Sequence, residues 1–196
     1  MSNEYEILQG QTGAIRYELG NRHTYDFVEG TVPWKLPSTS KDSMMDDEET
    51  FAYFDPTRAE SLSQAVEHLG NYVEAEGPYD GVIGFSMGAL VAIWWMMQCQ
   101  SEGKPLPFRV AILFSASPDA KSMPVGNIPD VCLDLPTAHI WGEEDAWLET
   151  AQIVSRICTA EKRSIYVHQK GHEISGAPED VIGMVKAINR ALAMAA

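Results

Sequence analysis

Hydrophobic and polar positions follow two periods along this chain. Over residues 57–75, apolar side chains recur three and four apart (Leu62, Ala65, Val66, Leu69, Val73), which predicts an amphipathic helix stopped at Gly77-Pro78. Residues 81–85 are a short apolar run with the signature of a buried strand. Residues 87–100, with Trp94, Trp95, Met96 and Met97, are apolar almost all round, which predicts a helix buried in a layer over a sheet. Further strands are predicted at 109–115, 137–141 and 164–168. Helices are predicted at 148–158 and 178–193, the last opened by Pro178. Near the start, residues 11–19 read as a short helix ended at Gly20-Asn21, and 24–29 as a short strand before Gly30. Two stretches break the pattern. Residues 31–50 carry Pro33, Pro37, a Ser/Thr-rich segment and an acidic run, and are expected to be a long surface loop; residues 118–136 are irregular as well.

Strands alternating with helices, the strands nearly continuous in apolar residues, predict a parallel sheet with helices on both faces. A chain of 196 residues with no visible repeat or linker is expected to form one domain, 1–196. Composition narrows the partners: a formal charge of −14 argues against nucleic acid or an anionic membrane. Cys99, Cys132 and Cys158 have neither disulfide-framework nor zinc spacing and fit a reducing compartment. The segment MSNEYEILQG lacks the basic-then-apolar order of a secretory signal, and the longest apolar run, around residues 87–97, is too short to span a bilayer. The expectation is a soluble, cytoplasmic protein.

The chemistry centres on Gly84-Phe85-Ser86-Met87-Gly88, a G-x-S-x-G pentapeptide between a predicted strand and a predicted helix. Chance places that pattern about 0.07 times in a chain this long. In this context it predicts the nucleophile turn of an α/β-hydrolase fold. A sharp turn lifts the Ser86 hydroxyl above the carboxyl edge of the sheet. The helix N-terminus then favours developing negative charge, with the Met87 N–H as the expected oxyanion donor.

A serine hydroxyl needs a base, and this fold places acid and histidine after the serine in chain order. Of five histidines, His139, His168 and His172 follow Ser86. His139 lies inside a predicted strand and His168 at the end of another. His172 follows Gly171 in the loop beyond, and is the preferred base with His168 in reserve. Among Glu143, Glu144 and Asp145, which follow the strand at 137–141, Asp145 is the preferred partner; Asp119 competes. The acid's role is to hold the imidazole in its working tautomer.

With these residues in place, the chain resembles the FSH family of small serine hydrolases of fungi and other eukaryotes. The matching stretches are Gln11-Thr12…Arg16, Phe27-Val28-Glu29-Gly30, Glu76 through Gly88, Trp141-Gly142-Glu143-Glu144-Asp145, and Gly171-His172. The resemblance implies a compact α/β-hydrolase fold and hydrolysis of carboxylic esters or thioesters. It also implies a place in fungal polyketide pathways, in acyl release or editing, with an acyl carrier as partner. It carries over the roles of Ser86, Asp145 and His172. One departure matters: family members open with an apolar strand and a His-Gly loop, which this N-terminally truncated chain lacks. That strand is expected between residues 24–29 and 81–85, and its loop supplies the second oxyanion donor. Losing one donor typically costs about 10²–10³ in rate. Residues 1–10, or a second copy in a homodimer, are the candidate substitutes.

The expected reaction is ester or thioester hydrolysis through Ser86, His172 and Asp145, needing no metal or organic cofactor. Phe27, Trp34, Met87 and the 31–50 loop are candidates for an apolar acyl pocket. Two other readings stay open: a lyase, isomerase or cyclase using the same pocket without an acyl-enzyme, and a binding protein on a hydrolase scaffold.

Overall fold

The computed structural model describes residues 4–34, 50–116 and 132–196, without the side chains of residues 4–7, 34, 50 and 59. Its centre is a four-stranded, all-parallel sheet of β3 (Gly81–Phe85), β4 (Val110–Phe114), β5 (Thr137–Gly142) and β6 (Arg163–His168), lying side by side in that order. The register aligns Phe85 with Phe114 and Ile140 with Tyr166, so the carboxyl ends of the strands form one rim.

Alternation along the central strands separates two cores. Val110, Ile112 and Phe114 of β4, with Ala138 and Ile140 of β5, pack against α2 (Gly13–Leu19) and α6 (Pro178–Ala195). Ala111 and Leu113 point the other way, toward α3 (Ala59–Glu76), α4 (Met87–Ser101) and α5 (Leu148–Arg156). Both faces of β4 are buried, which is why its sequence VAILF shows no polar alternation. Helix α4 lies between the sheet and α3, and Leu90, Ile93 and Met96 have 0% exposure. Its all-round apolar character follows from that double contact. Pro178 opens α6 at its first turn, where a missing N–H costs nothing. Among the described residues no helix is long and apolar enough to cross a membrane.

The N-terminal third departs from the sequence expectations. Residues 4–11 form a helix, α1 (Glu4–Gln11), so they do not fill the sheet as a strand. Residues 24–29 form no strand either. A strand is defined by its partner, and this segment lies across a cavity from β3 with no ladder to join. Side chains anchor it instead: Tyr53 donates to the Val28 carbonyl at 2.9 Å, and Tyr79 to the Asp26 carboxylate at 2.8 Å. The expected loop at 31–50 has paired ends, because β1 (Val32–Trp34) and β2 (Thr50–Ala52) form a short antiparallel ribbon. The acidic run within it and most of the irregular stretch at 118–136 fall outside the described residues, as does Asp119. Leu133 there makes an isolated parallel bridge to Cys158.

Candidate active site

Ser86 joins β3 to α4 with φ 50° and ψ −117°, a conformation costly for any residue but glycine. Two features hold it there. The Ser86 N–H donates to the Phe114 carbonyl at 3.0 Å, which ties the turn to the neighbouring strand. Gly84 lets α4 approach: a Cβ on it would sit 2.6 Å from the Ala89 Cα. Met87 opens α4 directly after Ser86, so the first N–H groups of the helix, which have no partner within it, lie next to the serine in the chain.

The turn after β5 carries Asp145, and the loop after β6 carries His172. Parallel register places both above the same rim as Ser86. The Asp145 carboxylate accepts the His172 Nδ1–H at 2.9 Å, and the opposite ring nitrogen, Nε2, lies 3.0 Å from Ser86 Oγ. A carboxylate only accepts, so the Nδ1–H tautomer leaves Nε2 free to accept the serine proton. The imidazole lies between Phe85, at 5.0 Å between ring centroids, and Trp147, which meets it edge-on at 4.7 Å.

The Asp145 side chain is fully buried, at 0% exposure. Burial alone would raise its carboxyl. The Trp147 N–H, which donates to it at 2.9 Å, together with His172 and the nearby Ser115 hydroxyl, outweighs burial and holds it below the ordinary carboxylate value. Ser115 is itself buried, in a left-handed conformation at φ 43°, and its Oγ falls outside strict hydrogen-bond geometry. Glu143 and Glu144 are exposed, Glu143 accepting from the Gln169 amide at 2.6 Å. Among the described residues no group of three or more His, Cys, Asp or Glu side chains is arranged to hold a metal ion.

A cavity of about 840 Å³ opens beside the serine. All five residues of β3 line it, although successive residues point to opposite faces, so it runs along the strand's outer edge. Its far wall is the irregular segment 24–31, including Phe27, whose ring lies 5.4 Å beneath the Arg16 guanidinium. Met87 also lines the cavity. The Trp34 side chain lies outside the described residues. His168 and His139 are buried away from Ser86, His139 in the core of β5.

Sequence reasoning overlooked Phe85, Ser115 and Trp147. The one local signal was the position of Trp147, two residues after Asp145, where an aspartate commonly accepts a backbone N–H.

Comparison with known proteins assigns the lineage. The chain matches the family described as Serine hydrolase (FSH1) over residues 1–178. It belongs to that family. It is 31% identical over 208 residues to esterase FPY3 of Fusarium mangiferae, covering 100% of this chain and 94% of the relative. Hydrolase phiM of Fungal sp. (strain ATCC 74256) is 29% identical, covering 87% of this chain and 81% of its own length. Esterase OVCA2 of Mus musculus is 29% identical over 62% of this chain and 53% of its own. Among solved structures, a hydrolase from Agrobacterium vitis S4 superposes with a TM-score of 0.51 at 14% identity, covering 69% of each chain. This FSH1-family serine hydrolase has an α/β-hydrolase fold and is an enzyme of the esterase type.

Proposed function

We propose that this enzyme hydrolyses carboxylic esters or thioesters through an acyl-enzyme on Ser86, with His172 as general base and Asp145 as its orienting acid. The observation that carries the reading is the unbroken hydrogen-bonded chain from Ser86 Oγ through the His172 ring to the buried Asp145 carboxylate. As Ser86 Oγ attacks the acyl carbon, its proton passes to His172 Nε2, and the new imidazolium is stabilised by Asp145. The negative oxygen of the tetrahedral intermediate forms near the first turn of α4, where the Met87 N–H is the donor. His172 then returns the proton to the departing alcohol or thiol. Water repeats the sequence in reverse and frees the acid.

The cavity supports an acyl group of some size: its volume lies in the range of small-molecule sites and aromatic side chains line its walls. Phe27 and Met87 are proposed to contact that group. The resemblance drawn from the sequence extends the substrate to acyl chains released or edited during polyketide assembly, delivered as thioesters. A fluorophosphonate probe tests the core of the proposal. It should label the folded protein at Ser86, and hydrolysis of p-nitrophenyl esters should vanish in Ser86→Ala. Undiminished turnover in that variant would remove the acyl-enzyme mechanism.

A further inference from the structure

The loop that presents His172 is joined to the turn that presents Asp145 by an ordered set of contacts. The Glu143 N–H donates to the His168 carbonyl at 2.7 Å, and the Glu144 N–H to the Lys170 carbonyl at 3.1 Å. Gly142 has no Cβ where the Lys170 and Gly171 carbonyls close on it. Within the loop, the Lys170 N–H donates to the His168 side chain at 3.2 Å, on Nδ1.

His168 closes β6 and is 1% exposed. Its Nε2 is buried outside strict hydrogen-bond geometry; the Lys170 amide on Nδ1 and the nearby Glu173 backbone are the polar groups that set the ring's rotation. An Nδ1 that accepts must carry no proton, which puts the proton of the neutral ring on Nε2. Burial lowers the affinity of this ring for a second proton; the nearby Asp180 and Glu173 carboxylates and the Glu173 backbone oppose burial without cancelling it.

We infer that His168 is a positioning residue: by accepting the Lys170 amide on Nδ1 it sets the turn that delivers His172 to Ser86. The inference rests on the triad reading given above. It differs from a space-filling role in one respect. Filling the core depends on the volume of the side chain, whereas positioning depends on which atom carries the acceptor.

Two substitutions in the full chain separate these roles. In His168→Asn the amide oxygen takes the place of Nδ1; in His168→Gln the amide sits near the position of Nε2, beyond the Lys170 amide. Small misplacement of a catalytic group can cost up to about 10²-fold, so H168Q should lose at least ~10-fold in kcat on a p-nitrophenyl ester, with KM nearly unchanged. H168N should stay within about 3-fold of the parent, because it keeps the loop geometry on which that loss depends. The low-field proton resonance of the His172–Asp145 hydrogen bond should persist in H168N and weaken or vanish in H168Q. Equal behaviour of the two variants, both intact or both impaired, overturns the inference. Should either variant fail to fold, nitrogen NMR of the parent decides: an Nδ1–H tautomer at His168 overturns it, and an Nε2–H tautomer supports it. A parent inactive on esters whose resonance follows the predicted N-against-Q pattern would keep the positioning role and sink the hydrolase reading.

Discussion

Ser86, His172 and Asp145 divide the proposed chemistry by environment. The imidazole is partly open, with 21% of its side chain exposed, and reaches incoming substrate; the carboxylate beneath it is closed off at 0%. A buried carboxyl ordinarily gains pKa, yet here the Trp147 N–H and its other partners hold it down, so Asp145 stays ionised where the enzyme works. Asp145→Asn keeps the shape of the side chain but removes the charge and favours the wrong ring tautomer. We expect kcat to fall by roughly 10³–10⁴-fold, far more than any loss of folded protein accounts for, read by steady-state kinetics beside a melting curve. The depressed carboxyl also has a sign: its contribution to stability is present above the ordinary aspartate range and is lost as pH falls through its lowered folded value.

At the scale of elements, two glycines mark where backbones approach too closely for a side chain. Gly84 sits in the strand-to-helix turn, and its missing Cβ would meet the Ala89 Cα at 2.6 Å and N at 2.7 Å. Both are backbone atoms of a buried helix and cannot move aside alone. Gly84→Ala should therefore destabilise the protein by about 1–3 kcal/mol, measured by urea unfolding, and shift Ser86 enough to slow fluorophosphonate labelling. Gly142 plays the matching part between β5 and the His172 loop, where two carbonyl oxygens occupy the space a Cβ would need. Gly142→Ala should cost activity more than Gly84→Ala does, because the displaced loop carries His172 itself. The kinetic comparison of the two variants at matched folded fraction checks this.

The whole molecule sets two further behaviours. The cavity along β3 removes acyl methylenes from water, and each buried methylene contributes about 0.8 kcal/mol, or roughly fourfold in kcat/KM at most. In a series of p-nitrophenyl esters from acetyl to octanoyl, kcat/KM should climb with chain length and level off once the cavity is filled; a flat or falling series would contradict an acyl site there. The second behaviour is acid sensitivity. His139, 1% exposed in the core, is driven by burial to a pKa of about 3, far below its ordinary value near 6.5. Its folded form stays neutral while the unfolded chain binds a proton. Stability is complete above about pH 6.5 and declines on acidification, at up to about 1.4 kcal/mol per pH unit for this one histidine. Lowering of the His168 value by burial acts in the same direction. Urea midpoints measured from pH 7.5 to 4.5 should hold to about pH 6.5 and then fall, and more gently in His139→Gln if that variant folds.

Periodicity along the chain determined what depends on local burial. The strands at 81–85, 110–114, 137–142 and 163–168 and the helices between them were legible because each buries a face its own sequence must supply. The meeting of Ser86, Asp145 and His172 was legible for a related reason: each follows a strand, and parallel strands bring their carboxyl ends to one rim. Tertiary structure decided the rest. Residues 24–29 have the composition of a strand, but strand pairing needs a neighbour, and a cavity lies between them and β3. Residues 4–11 became a helix. The contacts of Phe85 and Trp147 with the His172 ring and the place of Ser115 beside Asp145 join groups across separate strands and turns. Such contacts follow from register and close packing between elements, and the order of residues within one element holds no record of them.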